Sequence, residues 1–203
     1  MTEVVDDHEL DEQDEADEGR ETLDPERAAR RAAALRHVRQ WGDPVLTTQG
    51  LRVERFDDDL RAQVERMATL MEDAIGLGLA APQVGILQRL FVYRMGPEAP
   101  LSVVANPEFE FVSDETETFE EGCLSIPGVV VDVERPVHVR VRGQDIDGEE
   151  ILIEASGLEA RVIQHESDHT NGVLMLDRTS RDQRKQAMRT LREEARAAPL
   201  GVA

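Results

Sequence analysis

One stretch of the chain places its apolar residues at helical spacing. From Asp57 to Ile75 the apolar side chains recur every three or four residues, so they share one face of a helix. Asp57, Asp58 and Asp59 put negative charge at the start of the stretch, where the helix dipole favours it. The pattern predicts a long helix whose core face consists of Leu60, Val64, Met67, Leu70, Met71 and Ala74.

Three other segments are predicted as helices. Pro25 suits the first turn of the first of them, and Gly172 ends the second. These segments are Glu26–Gln40, Leu158–Asn171 and Ser180–Ala197.

Short runs rich in β-branched residues fill the middle of the chain and predict strands. The loop Gly76–Gln83 precedes them, and Asp147-Gly148 predicts the tight turn before the last one. The predicted strands are Leu90–Arg94, Leu101–Ala105, Glu108–Val112, Val129–Val133, Val137–Arg142 and Ile151–Glu154. Strands clustered between helices indicate an α+β protein.

Composition divides the chain of 203 residues into unequal parts. Residues 1–24 hold twelve acidic residues and one arginine, which is -11 of the formal net charge of -20. Because they lack aromatic residues and any apolar period, we expect a disordered acidic arm that solubilises the protein; a functional acidic tail is the alternative. The remaining divisions are a helix over 25–40, one domain over 41–197 and a flexible tail over 198–203.

The sequence also bears on location. No run approaches the roughly 18 apolar residues that a membrane span needs, and the start resembles neither a secretory signal nor a transit peptide. The single cysteine excludes an internal disulfide and suits a reducing compartment. We therefore expect a cytoplasmic protein.

The predicted helix at 158–171 carries the motif H-E-x-x-H. His165 and His169 are four residues apart and share a helix face, so they can bind one ion, while Glu166 lies beside the place of a bound water. Two structural histidines on a helix would give the same motif by chance.

A third ligand has two possible sources. No histidine follows His169, so a zinc peptidase of the common kind would need one of the downstream carboxylates Asp177, Asp182, Glu193 or Glu194. The thiolate of Cys123 completes the site better, because a Cys-His-His set leaves a fourth position open for water. A lone cysteine is otherwise most often a small buried hydrophobic residue.

Three segments together resemble the peptide deformylase family. They are Gly76-Leu77-Gly78-Leu79-Ala80-Ala81-Pro82-Gln83, Glu121-Gly122-Cys123-Leu124-Ser125 and Gln164-His165-Glu166-Ser167-Asp168-His169. The family motifs are G-x-G-L-A-A-x-Q, E-G-C-L-S and Q-H-E-x-D-H, in the same order. The resemblance extends more loosely from about Trp41 to Ala197, and residues 1–24 lie outside it.

The resemblance implies a function and a fold. Such an enzyme removes the formyl group from the N-terminal formylmethionine of new polypeptides in a bacterial-type cytosol. The resemblance implies a mixed α+β fold. Together with the predicted elements, it leads us to expect central antiparallel or mixed strands packed around the metal-binding helix, with a long helix before the first site loop and another at the C-terminus. The family metal is ferrous iron, and zinc, nickel or cobalt can take its place.

The resemblance also assigns roles to individual residues. Cys123, His165 and His169 become the metal ligands, and Glu166 becomes the general acid and base. Gln83 and the backbone amide of Leu124 are expected to bind the reacting formyl oxygen.

Other residues are candidates for binding the peptide. Gly76, Gly78 and Gly122 would let its backbone approach, although ordinary turn glycines are the alternative. Leu77 and Val162 are candidates for the methionine pocket.

Further expectations concern polar residues near the motif helix. A carboxylate near the site needs a cation, so we expect Asp168 or Glu121 to pair with Arg135; a solvated acid is the alternative for Asp168. An outward orientation would account for the polar Glu159 and Arg161. Thr170 replaces the leucine that is usual in the family, which affects helix packing rather than chemistry.

The last helix is basic in an acidic protein, and this suggests a partner. Its cations are Arg181, Arg184, Lys185, Arg189, Arg192 and Arg196. They could dock on ribosomal RNA through phosphate contacts, or they could form a solvated face that suits the helix dipole. We expect a monomer that binds neither membrane nor DNA. A zinc peptidase and a non-catalytic metal protein are the rival functions.

Overall fold

The computed structural model describes residues 23–197. The acidic arm predicted for residues 1–24 lies almost wholly outside these residues, and so does the tail predicted for 198–203. The four helices in this range are α1 Pro25–Leu35, α2 Asp58–Asp73, α3 Gly157–Thr170 and α4 Arg181–Ala197. The seven strands are β1 Gly78–Ala80, β2 Leu90–Tyr93, β3 Ser102–Val112, β4 Thr116–Cys123, β5 Ile126–Pro136, β6 His138–Gln144 and β7 Glu150–Ser156. Three 3₁₀ turns span Pro44–Thr47, Ala81–Val84 and Met175–Asp177.

The strands form two antiparallel units. Five of them make a sheet in the order β1-β2-β3-β6-β7, and β4 pairs with β5 in a separate ribbon. The α+β class is therefore confirmed, and every strand pair within the sheet and the ribbon is antiparallel.

Strand β2 explains how the helices cover the sheet. Leu90 and Val92 pack in one cluster with the buried face of α2, and Phe91 and Tyr93 pack in another with α3. Because neighbouring strand residues point to opposite faces, α2 and α3 lie on opposite sides of the sheet. Met67 and Met71 are buried in the first cluster, as the apolar stripe predicts.

The ribbon has its own core. Val131 and Val133 of β5 pack with Ala187 of α4 and with the turn at Met175–Asp177. Helix α3 also contacts β5, so its remaining side faces the ribbon rather than solvent. This double cover buries nine residues of α3, including polar ones.

The helix predicted for Glu26–Gln40 is shorter than expected. Asp24 caps it by accepting hydrogen bonds from the backbone N–H groups of Glu26 and Arg27. It ends at Leu35 because the backbone then turns, which buries Val38 and lets the Arg39 N–H donate to the Gln83 carbonyl at 2.7 Å.

Three strand predictions were wrong. Gly78–Ala80 is an edge strand paired with β2 rather than part of a loop. The two strands predicted at 101–112 form one strand. Its pairing with β6 is interrupted by a bulge at Asn106, which takes a left-handed conformation (φ +54°), and resumes at Glu108. Strand β4 went unpredicted because its first five residues are exposed, so apolar and polar residues do not alternate.

The other elements agree with their predictions to within a few residues at each end. Gly148 makes the β6–β7 turn with a positive φ of 84°. Among residues 23–197, no helix is both long and apolar enough to cross a membrane.

Candidate metal centre

Helix α3 and strand β4 bring together the three proposed ligands. His165 and His169 lie one turn apart on α3, and Cys123 is the last residue of β4. A ligand atom from each of the three lies within 4.8 Å of the others. The Cys123 Sγ stands 3.3 Å from Nε2 of His169.

The charges of this cluster suit a cation. Burial alone would raise the pKa of the Cys123 thiol, but His169 and His165 outweigh burial and hold that pKa well below its usual value. A thiolate is therefore favoured, and metal ligands must be deprotonated in this way.

Glu121 fixes the orientation of one imidazole. Its Oε2 lies 2.9 Å from Nδ1 of His165. Burial opposes ionisation of Glu121, but Arg135 and His165 outweigh it and lower the pKa of the carboxyl far below its usual range. The ionised carboxylate accepts the Nδ1 proton, which leaves Nε2 of His165 free to bind an ion.

A buried ion network supports Glu121 from behind. Arg135 donates to both oxygens of Glu121 at 2.6 and 2.9 Å, and to Asp168 at 2.8 Å. Arg178 also donates to Asp168, at 2.6 Å. The predicted pairing of Arg135 with these carboxylates is confirmed, and the alternative of a solvated Asp168 is wrong, since that residue is buried.

Arg161 belongs to the same network, so the expected outward orientation was wrong. Its guanidinium donates to Glu121 and to the carbonyl of Val133, each at 2.8 Å. Arg161 precedes His165 by one helical turn, so the spacing itself could have indicated that both contact one carboxylate. Glu159 accepts a hydrogen bond from the Tyr93 hydroxyl at 2.9 Å.

Glu166 lies buried against β1. One of its carboxylate oxygens, Oε2, has no hydrogen-bond partner among the described residues. Burial raises its pKa to about 7, although the charges of His165 and His169 act in the opposite direction. A carboxyl that titrates near neutral pH can both accept and release a proton at that pH.

Gly78 makes room for this carboxylate. A Cβ atom at residue 78 would stand 2.5 Å from Oε1 of Glu166, far closer than atoms can approach. A residue with a Cβ atom here would therefore displace the side chain of the proposed acid and base, so this glycine does more than an ordinary turn residue.

The Gln83 side chain is held with its amide nitrogen toward the cluster. Its Oε1 accepts the backbone N–H of Ala80 at 2.8 Å. Its Nε2 then lies 3.7 Å from Cys123 Sγ and 3.3 Å from the hydroxyl of Ser125. Ser125, the last residue of the second family motif, is fully buried beside the cluster, although the sequence analysis assigned it no role.

Leu124 begins the two-residue turn that joins β4 to β5. Its carbonyl accepts a bond from Gln40, and no acceptor for its N–H is found among residues 23–193. That N–H is therefore available to a ligand beside Cys123.

A cleft of about 750 Å³ opens over the cluster. One wall of the cleft consists of the edge strand β1 and the loop before it, and the other wall is the β4–β5 ribbon. Helix α3 forms its floor. The residues predicted to bind substrate all line it: Gly76, Leu77, Gly78, Gly122 and Val162. Leu158 and Val130 add exposed apolar surface to its rim, which sequence reasoning missed.

The downstream carboxylates are not part of this cluster within the described residues. Asp177 instead pairs with Arg184 at 3.0 Å. Thr170 is buried and its hydroxyl donates to the Ser167 carbonyl at 2.8 Å, so the helix itself satisfies this polar side chain.

The donor set fits a divalent transition metal. One thiolate and two imidazoles are the ligand types that such ions prefer, and three protein ligands leave a position open for water or substrate.

Comparisons with known proteins agree with this geometry. The family model for polypeptide deformylase matches residues 35–185. The chain belongs to the polypeptide deformylase family. These enzymes are hydrolases that remove the N-terminal formyl group from newly made polypeptides.

Individual family members match over most of their length. The peptide deformylase of Thermotoga sp. (strain RQ2) is 46% identical over 78% of this chain and 96% of its own. Peptide deformylase 1 of Corynebacterium glutamicum is 46% identical over 80% and 97%.

Solved deformylase structures share the fold. The enzyme from Legionella pneumophila superposes with a TM-score of 0.76 at 37% identity, covering 81% of this chain and 98% of that one. The Synechococcus elongatus enzyme, in complex with actinonin, gives 0.73 at 44% identity over 76% and 86%.

Proposed function

We propose that this chain deformylates new polypeptides with one divalent ion held by Cys123, His165 and His169. The convergence of their ligand atoms within 4.8 Å is the observation that carries the proposal. When bound there, such an ion would supply Lewis acidity and would lower the pKa of a water molecule from 15.7 toward roughly 7. Ferrous iron is the family metal, and the same ligands suit zinc, nickel and cobalt.

Glu166 moves the protons of the reaction. It accepts a proton from the attacking water, whose oxygen bonds to the formyl carbon. When the carbon–nitrogen bond breaks, Glu166 delivers that proton to the departing amine, and formate is the other product. A pKa of about 7 suits both steps, because neither transfer then requires a large change in free energy.

Gln83 and Leu124 stabilise the negative charge that develops on the formyl oxygen. The Gln83 amide is held in place by Ala80, and the Leu124 N–H is a rigid backbone donor. Both donors are fixed before the reaction, so no reorganisation is needed as the charge forms. Loss of one such donor costs about 2.7–4 kcal/mol of barrier in comparable sites.

The peptide lies in the cleft as an added strand. Strand β1 is a sheet edge, so its outer backbone groups can pair with an extended substrate. Gly76, Gly78 and Gly122 let that backbone approach closely. The methionine side chain packs against Leu77 and Val162, with Leu158 and Val130 at the rim.

Formate release from formyl-Met-Ala tests the activity. We expect formate to be released without cleavage of any internal peptide bond; internal cleavage would favour the zinc peptidase. Glu166→Ala should still bind one ion per chain but lose turnover by at least about 100-fold. Glu159→Gln, a change on the same helix, is the matched control and should keep activity. Full activity in Glu166→Ala would favour the rival of a non-catalytic metal protein with a contaminating enzyme.

We also propose that α4 docks on the ribosome. Arg181, Lys185, Arg189 and Arg192 are exposed, while the opposite face of α4 packs on β5. Phosphate contacts through these cations would hold the enzyme near its substrate. Charge reversal of Arg184, Lys185 and Arg189 should abolish co-sedimentation with ribosomes at low salt, and unchanged co-sedimentation would reject docking.

A further inference from the structure

The N-terminal helix α1 places a cation in the substrate cleft. Arg31 lines the cleft together with Ile75, Gly76 and Leu77. Helix α1 ends at Leu35, and the family match begins at that residue. The part of the cleft that Arg31 lines therefore comes from residues before the family match.

The helix geometry directs Arg31 inward. Ala34 is buried, and Arg31 precedes it by three residues, so both lie on the face of α1 that turns toward the protein. Helix α1 packs on α2, and the chain leaving α2 leads directly into Ile75 and the cleft loop. The Arg31 side chain is half-buried as a result.

Arg31 forms no ion pair within residues 23–193, because no carboxylate there lies within ion-pair distance of its guanidinium. Arg161, the other arginine of the cleft, is already bound to Glu121 and two carbonyls. Arg31 is thus the guanidinium that a substrate carboxylate can reach. Glu120 lines the cleft on β4 and would repel a carboxylate placed there.

The position of Arg31 relative to Glu166 indicates which substrate residue it meets. Gly78 touches Glu166, where the formyl group reacts. The chain runs back from Gly78 to Ile75, which lines the same cleft as Arg31. Three residues span at most about 10 Å, which equals about three residues of an extended peptide. The third and fourth substrate residues are therefore the ones that reach Ile75, and Arg31 lines the same cleft.

We propose that Arg31 is a specificity-determining residue that binds an aspartate or glutamate side chain at the third or fourth position of the formylated peptide. The proposal rests on the deformylase function given above. A guanidinium forms paired hydrogen bonds with a carboxylate, and partial burial strengthens them relative to an exposed pair.

Paired peptides with amidated C-termini test this assignment. Formyl-Met-Ala-Glu-Ala and formyl-Met-Ala-Ala-Glu are each compared with their glutamine counterparts by kcat/KM for formate release. For at least one position the unaltered enzyme should prefer glutamate by about fivefold, as expected of a half-buried pair. Arg31→Gln should bring that ratio to about one, and Arg31→Glu should turn the preference toward lysine peptides.

The ratio of kcat/KM for glutamate and glutamine peptides is measured within each enzyme. A lower fraction of folded protein therefore does not change this ratio. Arg30→Gln on the same helix is the matched control, because Arg30 is exposed and pairs with Glu26; it should keep the preference. Equal rates for glutamate and glutamine peptides, or a preference that survives Arg31→Gln, would overturn the role of Arg31. Absence of formate from every peptide would instead overturn the deformylase function.

Discussion

Gly78 lies against the carboxylate of Glu166, the proposed acid and base, where a missing methyl group leaves room for it. Alanine at residue 78 would force the carboxylate away from its place beside His165 and His169. Misplacement of a reacting group by about 1 Å commonly costs about 100-fold in rate.

Gly78→Ala should therefore lower kcat for formyl-Met-Ala by roughly 100-fold while the variant still binds one ion per chain. The pair of measurements is formate release and bound metal in the same preparation. A kcat close to that of the unaltered enzyme would show that the Glu166 carboxylate does not need this space.

Glu166 also carries a cost in stability, which depends on pH. Its pKa is raised from 4.5 to about 7 in the fold. Above the unfolded value the unfolded chain releases this proton while the folded protein keeps it, so stability falls as pH rises from about 4.5 to about 7 and then levels off. The loss reaches roughly 3 kcal/mol.

Glu166→Gln removes the titrating group, so the metal-free variant should be more stable than the metal-free parent at pH 8 by roughly 3 kcal/mol. The two proteins should differ little at pH 4. Urea unfolding in the presence of a chelator measures this difference, and chelation matters because a bound cation favours the charged carboxyl. A constant difference across this pH range would contradict the buried, uncompensated carboxylate.

At the scale of elements, the end of α2 is strained. Ile75 follows the helix with a φ of +61°, a conformation that β-branched residues rarely adopt. The hydrogen bond from the Gly76 N–H to the Met71 carbonyl requires this left-handed conformation at residue 75. Glycine or asparagine usually occupies such a position at a helix end. Because Ile75 is 44% exposed, little apolar burial offsets the strain.

Ile75→Asn should consequently stabilise the protein by about 1 kcal/mol. Ile75→Val, which keeps the branched carbon, should give no gain and serves as the control. Urea unfolding of both variants gives the comparison. A loss of stability in Ile75→Asn would mean that packing of this side chain outweighs its backbone strain.

Elements with a strong period could be predicted from the sequence, and others could not. The helix period of α2 and the four-residue spacing of His165 and His169 identified the core face and half of the site. Strand β4 escaped because its exposed polar residues resemble a loop, yet it delivers Cys123. The approach of β4 to α3 depends on contacts between residues far apart in the chain, and the local sequence pattern does not encode such contacts.

For the whole molecule, the site depends on how separate units pack. Helix α3 is buried between the five-stranded sheet and the ribbon, and the network of Arg135, Glu121 and Asp168 joins ribbon to helix. The resemblance to the family predicted, from the sequence alone, that Cys123 and Gln83 belong to the site. It offered nothing about Arg31, because this residue lies before the matched residues.

The buried polar network was only partly predictable for the same reason. Pairing of Arg135 with Glu121 or Asp168 followed from the need to compensate a buried charge. Arg178 lies on the turn after α3, and nothing in its sequence neighbourhood indicates contact with Asp168. Only the packed arrangement of helix, turn and ribbon brings these groups together.

The proposed function depends on one ion bound by one sulfur and two imidazoles. X-ray absorption at the zinc edge of zinc-loaded protein reports this coordination, since Cys123 is the one cysteine of the chain. We expect a sulfur at about 2.3 Å and two nitrogens at about 2.0–2.1 Å from the zinc ion, with the sulfur signal lost in Cys123→Ser. An ion surrounded only by nitrogen and oxygen in the unaltered protein, or a sulfur signal that persists in the variant, would contradict this expectation.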